Sequence, residues 1–304
     1  MSKTIKRTSV AKKREVWMRG QSVVALLIGC FVVSVATGQD TLFAPVVKGQ
    51  WLENSSYGVD FDAEGRIANW VAYELTAKEA GGAFGRSDAF RVDARVARSA
   101  PSSWPGSGFD RGHMKPAADS KGSAEEMRSS FLMTNMAPQT PALNRGEWKG
   151  VEELVRAWSA EHGRVYVVMG PSQSSRGAIA GGVRVPTHFW KAVLRYGADT
   201  AAVAFWFPNA DDVPGKVQDY RLTVDSLEAR IGMDLFAPLP DAVESRVESE
   251  WGQWDLARKA PSKTPASSAK SGSSVQCSGW SKSKGARCGN RTKDPSGRCH
   301  HHRN

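Results

Sequence analysis

The sequence predicts an α+β domain in which a mainly antiparallel sheet is flanked by helices, followed by a small cysteine-bearing module. Strand-like stretches outnumber helical ones and often follow each other directly, whereas a doubly wound sheet would alternate them with helices. The cysteines supply the other observation. Cys277, Cys288 and Cys299 stand together late in the chain, and none lies between residues 31 and 276. The main domain is therefore expected to stand on packing alone.

The elements follow in order. Residues 66–76, RIANWVAYELT, alternate apolar and polar positions and are rich in aromatic and β-branched residues, so they read as a strand. A helix is expected from Arg145 to about Glu161, because Val151, Leu154, Val155 and Trp158 recur at helical spacing and form one apolar stripe. Val165–Met169 is a short apolar run ended by Gly170-Pro171, which suits a central strand. Phe189–Tyr196 and Ala201–Phe207 read as further strands, the second stopped by Pro208-Asn209. A second helix is expected over Asp219–Ile231, closed by Gly232. No internal repeat is visible.

Both ends differ from this middle. Seven Lys/Arg precede the apolar run Val23–Ala36, and the small residues Ala36-Thr37-Gly38 offer a cleavage point after Gly38. A run of about 14 residues is short for a membrane span and suits a signal peptide, with an uncleaved membrane anchor as the alternative. Either places the remainder outside the cytoplasm, secreted or periplasmic in the first case. Residues 257–275 are dominated by Ala, Ser, Lys and Pro and read as a flexible basic linker. The organisation expected is thus a signal or anchor at 1–38, a main domain at 39–256, the linker, and a module at 276–304.

The net charge of +10 invites a nucleic-acid reading. It resides in the ends, however. Residues 1–20 carry +6 and residues 257–304 carry +10, which leaves −6 for the middle. Whole-chain charge is therefore no argument that the main domain binds a polyanion; local arginines must make that case.

The chemistry concentrates between Phe109 and Arg156. His113 is the sole histidine before His162 and the domain's natural proton acceptor at neutral pH. It stands in Asp110-Arg111-Gly112-His113, where Gly112 leaves the backbone unhindered. Asn144 sits where a polar loop gives way to the helix, and capping that helix is its alternative role. Counted at 100° per residue along one helix, Glu152 and Arg156 fall about 80° and 120° around from Asn144. A strand, a loop and this helix could thus gather His113, Asn144, Glu152 and Arg156; a plain Glu152–Arg156 ion pair is the alternative. His162 and His188 read as structural, and Met133 and Met136 as core.

These motifs resemble the DNA/RNA non-specific endonuclease family, whose fold is the ββα-metal (His-Me finger) fold. The resemblance covers most of residues 51–256 and centres on Asp110-Arg111-Gly112-His113-Met114, Thr134-Asn135-Met136-Ala137-Pro138-Gln139 and Leu143-Asn144-Arg145-Gly146-Glu147-Trp148. Weaker matches follow in order at Val167–Pro171, Val185–Lys191, Phe207-Pro208-Asn209 and Leu227–Gly232, the last with Ile231 where the family usually has Thr. The resemblance implies an enzyme that hydrolyses phosphodiester bonds in DNA and RNA. It implies His113 as general base, Asn144 as the direct ligand of Mg²⁺ (or Mn²⁺), and Glu152 holding that ion through water. It further implies Asn135 orienting Asn144, and Arg111 and Arg156 neutralising the phosphate. An upstream family arginine maps to Arg86, with Arg91 competing. The family often forms homodimers. Contacts confined to phosphate and sugar carry no base information, which fits weak sequence preference. Other functions compatible with this reading are a catalytically silent nucleic-acid-binding or surface protein and a phosphodiesterase on small nucleotides.

In the C-terminal module three thiolates and one imidazole suit a closed tetrahedral zinc site, and metal would supply folding energy that so small a segment lacks. It is similar to a small bacterial C-terminal module with three Cys and a final His, which selects His302 beside Cys277, Cys288 and Cys299. The alternative is one disulfide and a free thiol.

Overall fold

The computed structural model describes residues 43–257, 275–281, 286–292, 298–299 and 302. The expected signal or anchor at 1–38 and most of the linker lie outside the described residues.

In chain order the main elements are strands β1 (Gln50–Asn54), β2 (Tyr57–Asp62) and β3 (Ile67–Thr76), helix α1 (Ala77–Ala80), strand β4 (Asp110–His113), helix α2 (Ala124–Ser129) and strand β5 (Met136–Gln139). Helices α3 (Pro141–Arg145) and α4 (Glu147–His162) follow, then strands β6 (Arg164–Pro171), β7 (Ser175–Ile179), β8 (Val183–Pro186), β9 (His188–Arg195), β10 (Ala201–Pro208) and β11 (Arg221–Leu222). Helices α5 (Val224–Ile231) and α6 (Asp241–Ser249) complete the domain. Seven strands form one sheet in the order β1-β2-β3-β6-β9-β10-β11, and every pairing is antiparallel. The α+β, antiparallel expectation holds.

Both faces of this sheet are covered, and strand alternation sorts the side chains between them. Along β6, Val165, Val167 and Met169 enter one core, while Tyr166 and Val168 enter the other. Helix α4 packs on the first face through Trp148, Val151, Leu154, Val155 and Trp158, the expected stripe extended by one turn. Helices α5 and α6 pack on the second through Val224, Leu227 and Val247. Met133 and Met136 are fully buried, as expected of core residues. Trp148, Trp158 and Trp190 are fully enclosed, and area of that size contributes about 4–6 kcal/mol each.

Two helix boundaries differ from the sequence expectation. Thr140 accepts the Leu143 N–H and Pro141 opens α3, a good N-terminal combination. At Gly146 (φ −99°, ψ −114°) the chain leaves helical geometry, and α4 begins afresh. A Cβ there would lie 2.5 Å from the Ala142 carbonyl, so the break needs glycine. Asn144 is thus on α3, while Glu152 and Arg156 are on α4, and angular counting along one helix does not relate them. Nor does Asn144 cap either helix. Similarly, α5 starts at Val224 rather than Asp219, because the Thr223 hydroxyl accepts the Ser226 N–H and caps it. Residues 217–220 form a 3₁₀ turn and Arg221–Leu222 pair with β10. Gly232 closes α5 in the left-handed region, as expected.

The β4–β5 ribbon and α3 lie on the α4 side, and besides the Thr140 hydroxyl, which donates to the Ala210 carbonyl, one buried side chain ties them to the end of the sheet. Asn209, fully buried after β10, donates to the carbonyls of Pro138 (3.0 Å) and Pro186 (2.9 Å) and accepts the Thr140 N–H (2.8 Å). The Phe-Pro-Asn motif therefore anchors the segment that enters α3. Asn209→Ala leaves three buried backbone groups unpaired, and we expect a loss of about 2–4 kcal/mol, or roughly 5–15 °C in Tm. Thermal unfolding followed by circular dichroism checks this; a shift below about 2 °C would mean that the segment is held by other contacts.

Candidate active site

Strands β4 and β5 pair with Gly112 opposite Ala137 and His113 opposite Met136. The side of Gly112 is filled by the buried carboxamide of Gln139; a Cβ on Gly112 would meet its Oε1 at 2.0 Å. This is why glycine precedes the histidine.

His113 is 9% exposed. Its ring meets Phe131 edge-on at 5.0 Å and Phe90 at 5.8 Å between centroids. Nε2 is enclosed without a hydrogen-bond partner. Burial pushes the imidazole pKa down to about 3, Arg86 and Arg111 add to the shift, and Asp88 opposes it. The ring is therefore neutral at physiological pH.

The two guanidiniums are held by the same aromatic cage. Arg111 stacks over Phe90 at 3.6 Å and donates to the Ser102 carbonyl. Arg86 lies over Phe131 at 5.1 Å and pairs with Asp88 at 2.5 Å. Arg91 is used elsewhere: it donates to the Arg128 carbonyl, and its backbone bonds Phe131 and Met133. Of the two upstream candidates, Arg86 is the one beside His113.

Asn144 is brought to the hairpin by Asp110. Asn144 Nδ2 donates to Asp110 Oδ2 at 2.9 Å, and Arg145 makes a two-pronged bond to both Asp110 oxygens at 2.7 and 2.8 Å. The Arg145 hydrogen bonds, then that of Asn144, hold the Asp110 carboxyl below the usual carboxylate range. With one amide hydrogen donated to Asp110, the amide is turned so that its oxygen is directed away from that carboxylate. The sequence placed Asp110 in the motif but did not show this grip on Asn144 and Arg145.

Glu152 and Arg156 lie one turn apart on α4, but they are not an ion pair. Arg156 instead pairs with Asp119 at 2.9 Å; Asp119 is fully buried and also accepts the Tyr73 hydroxyl at 2.8 Å. Glu152 makes no hydrogen bond among the described residues. Burial raises its carboxyl above the ordinary range, against the opposing charges of Lys191 and Arg156. Lys191 was not picked out by the sequence. It is fully buried on central strand β9, its Nζ has no hydrogen-bond partner, and it stands 4.5 Å above the Trp148 ring. Burial pushes its ammonium down while Glu152 opposes that. The available signal was a lysine at an inward parity, between Phe189 and Val193.

Asn135 requires a correction. Its Nδ2 donates to the carbonyls of Lys115 and Ser130, both at 2.9 Å, and its Oδ1 accepts the Lys115 N–H at 2.9 Å. Both amide hydrogens are spent on this loop, so Asn135 fixes the turn after His113 and does not orient Asn144. His188 stacks on Trp206 at 4.9 Å and His162 packs on Trp254 at 6.2 Å, in keeping with structural roles.

In the C-terminal module, Cys277, Cys288, Cys299 and His302 turn their ligand atoms within 4.8 Å of one another. No disulfide joins Cys277, Cys288 and Cys299, and the Cys288 and Cys299 sulfurs lie 3.8 Å apart. His302 Nδ1 lies 3.5 Å from Cys277 Sγ and 3.4 Å from Cys299 Sγ. Gly279 makes room, since a Cβ there would strike the His302 ring at 2.3 Å. The N–H groups of Cys299 and Gly279 both point at Cys277 Sγ, which lowers that thiol's pKa.

A family model of DNA/RNA non-specific endonucleases matches residues 39–242. The chain belongs to that family. It is accordingly an endonuclease, a hydrolase. A nuclease of Nostoc sp. is 30% identical over 262 residues, covering 75% of this chain and 95% of that protein. Human mitochondrial endonuclease G is 31% identical over 208 residues, covering 62% and 70%. A solved complex of EndoG with EndoGI shares the fold at a TM-score of 0.60 and 24% identity, covering 70% of this chain and 93% of that one.

The buried imidazole of this endonuclease has a consequence for pH. His113 binds a proton far more weakly folded than unfolded, so the unfolded chain gains the proton first as pH falls. Stability carried by neutral His113 is full above about 6.5 and is lost progressively down to about 3. The raised Glu152 acts in the opposite sense, so a difference between chains is the useful measurement. Urea unfolding of the parent and His113→Gln at pH 7, 5.5 and 4 should give a shallower acid loss in the variant. Equal slopes would argue against an enclosed neutral imidazole.

Proposed function

We propose that this chain is a Mg²⁺-dependent (or Mn²⁺-dependent) endonuclease that cleaves DNA and RNA with little sequence preference, using His113 as general base and Asn144 as metal ligand. The observation that carries the reading is the pairing of a caged neutral His113, flanked by Arg86 and Arg111, with an Asn144 amide oriented by Asp110. A nucleic-acid-binding protein without catalysis has no physical need for either arrangement.

The donor set fits a hard cation. Asn144 offers an amide oxygen, and Glu152 a carboxylate with no hydrogen bond of its own; oxygen ligands that leave most positions to water suit Mg²⁺. When bound, the ion supplies charge neutralisation at the phosphate and the leaving oxygen. His113 accepts the proton of the attacking water. Because Nε2 is enclosed, Nδ1 is the nitrogen that meets this water. Arg86 and Arg111 meet the phosphate, and as its negative charge offsets them, the main electrostatic brake on His113 basicity is released. Arg156 and Lys191 keep positive charge beside Glu152, which favours its ionised form.

The Cys277, Cys288, Cys299 and His302 cluster fits a structural zinc. Zn–S bonds of about 2.3 Å and Zn–N bonds of about 2.0–2.1 Å give tetrahedral edges of about 3.8 Å for S···S and roughly 3.5 Å for S···N. The spacings described above agree with those edges. Bound there, zinc would cross-link the module. We read residues 1–38 as an export signal, supported by their basic stretch and short apolar run.

Plasmid nicking by the purified chain should require Mg²⁺ or Mn²⁺ and should fall about 10²–10⁴-fold in His113→Ala. Asn144→Ala should raise the Mg²⁺ concentration needed, and Asp110→Ala should do so more weakly. A His113→Ala chain within tenfold of the parent would remove His113 from the mechanism, and an unchanged Mg²⁺ titration would remove Asn144 as ligand.

Metal analysis of the purified chain should give one zinc, lost in Cys288→Ser. A chain with no zinc and paired thiols would restore the disulfide reading.

A further inference from the structure

We propose that Asp225, Glu228 and Glu248 form a second divalent-cation site, separate from the catalytic one, whose chemistry fits Ca²⁺. One carboxylate oxygen from each of the three lies within 4.8 Å of the others. The residues come from two helices, Asp225 and Glu228 from α5 and Glu248 from the last turn of α6. Clustering alone would say little, since acids often gather on surfaces. The decisive observation is Glu248: it is only 5% exposed, and its Oε1 has no hydrogen-bond partner.

A carboxylate taken out of water and left without a donor is strongly disfavoured. Here the surroundings make matters worse. Beyond burial, the groups that act most on Glu248 are Glu228, Glu244, Asp225 and Asp234, all acidic. Those acting on Glu228 are Asp234, Asp225 and Glu244, again acidic, with the Leu235 N–H as its one donor at 2.5 Å. The α6 carbonyl end adds negative potential at Glu248. Only a bound proton or a bound cation relieves this arrangement. Three convergent carboxylates favour the cation. Asp225 is exposed, so the site has an entrance and room for water ligands. Ca²⁺ accepts six to eight oxygen ligands in irregular geometry, whereas Mg²⁺ keeps most of its waters and prefers one or two carboxylates.

The sheet separates this cluster from the catalytic residues. Val224, Leu227 and Val247 pack in the core with Trp190 and Leu194, while α4 packs in the core on the other face. The site does not depend on the proposed nuclease mechanism. Its role would be to clamp α5 to α6.

The test uses the full chain carrying Asn144→Ala, to weaken the catalytic metal site, with and without Glu248→Gln. Calorimetric titration should show one Ca²⁺ bound to the first chain and none to the second. Roughly 5 mM Ca²⁺ should raise Tm by about 3 °C or more in the first chain. Glu248→Gln should raise Tm without Ca²⁺, because it removes a buried charge, yet abolish the Ca²⁺ response. Asp225→Asn, at the exposed rim, should weaken binding without altering folding. A Tm insensitive to Ca²⁺ that rises only on lowering the pH from 8 to 6 would show that a proton holds the carboxylates together and would overturn the proposal. An equal Ca²⁺ response in both chains would overturn it as well.

Discussion

The geometry of the candidate site depends on the Asp110 carboxylate. It stands at the start of β4, two residues before the glycine that Gln139 packs against, and it holds both Asn144 and Arg145 on α3. Through it, strand and helix share one frame: the strand carries His113, and the helix carries Asn144. The Gly146 break makes this grip necessary. A continuous helix would have aimed Asn144 by its phase, but a short five-residue helix has little stiffness of its own. Asn209 then helps fix that helix's entry to the sheet, so Asp110 and Asn209 together bear on where the Asn144 amide stands.

Burial is used in opposite ways on the two charge types of the site. His113 is enclosed and kept neutral, which suits a proton acceptor, and the guanidiniums that depress it are those that would face phosphate. Lys191 is fully buried beside a half-buried Glu152, and each opposes the effect of desolvation on the other. Under the proposed mechanism, substrate charge would enter a site whose own charges are balanced by burial and would shift that balance toward catalysis.

Local patterns made the secondary structure legible, and long-range pairing hid part of the site. The α4 stripe and the four named strands could be read because 3.6- and 2-residue periods are written in adjacent residues. The helix starts at Gly146 and Thr223 lie two and five residues later than the sequence suggests, since a helix-forming neighbourhood masks a break until its glycine or cap is weighed. The motif residues were legible as a set, yet their partners were not. Arg156 reaches Asp119, 37 residues away, rather than Glu152 one turn along. Asn135 serves Lys115, 20 residues back. Lys191 carried a faint signal, a charge at a core parity. Whether a side chain spends its donors on a loop or on a ligand is decided by tertiary contacts that no spacing encodes.

An acidic domain that acts on a polyanion needs few cations if those few are held ready. Arg86 is paired with Asp88, Arg145 with Asp110, and Arg156 with Asp119. Each aspartate lowers the net charge, which is part of why the main domain totals −6. Each also fixes a long side chain that would otherwise lose rotamer freedom on binding. Under the proposed function, phosphate would meet an Arg86 guanidinium already ordered, and could share or replace Asp88 as its partner. The net charge of such a domain understates its capacity for phosphate, because the same aspartates that cancel the arginines are what position them.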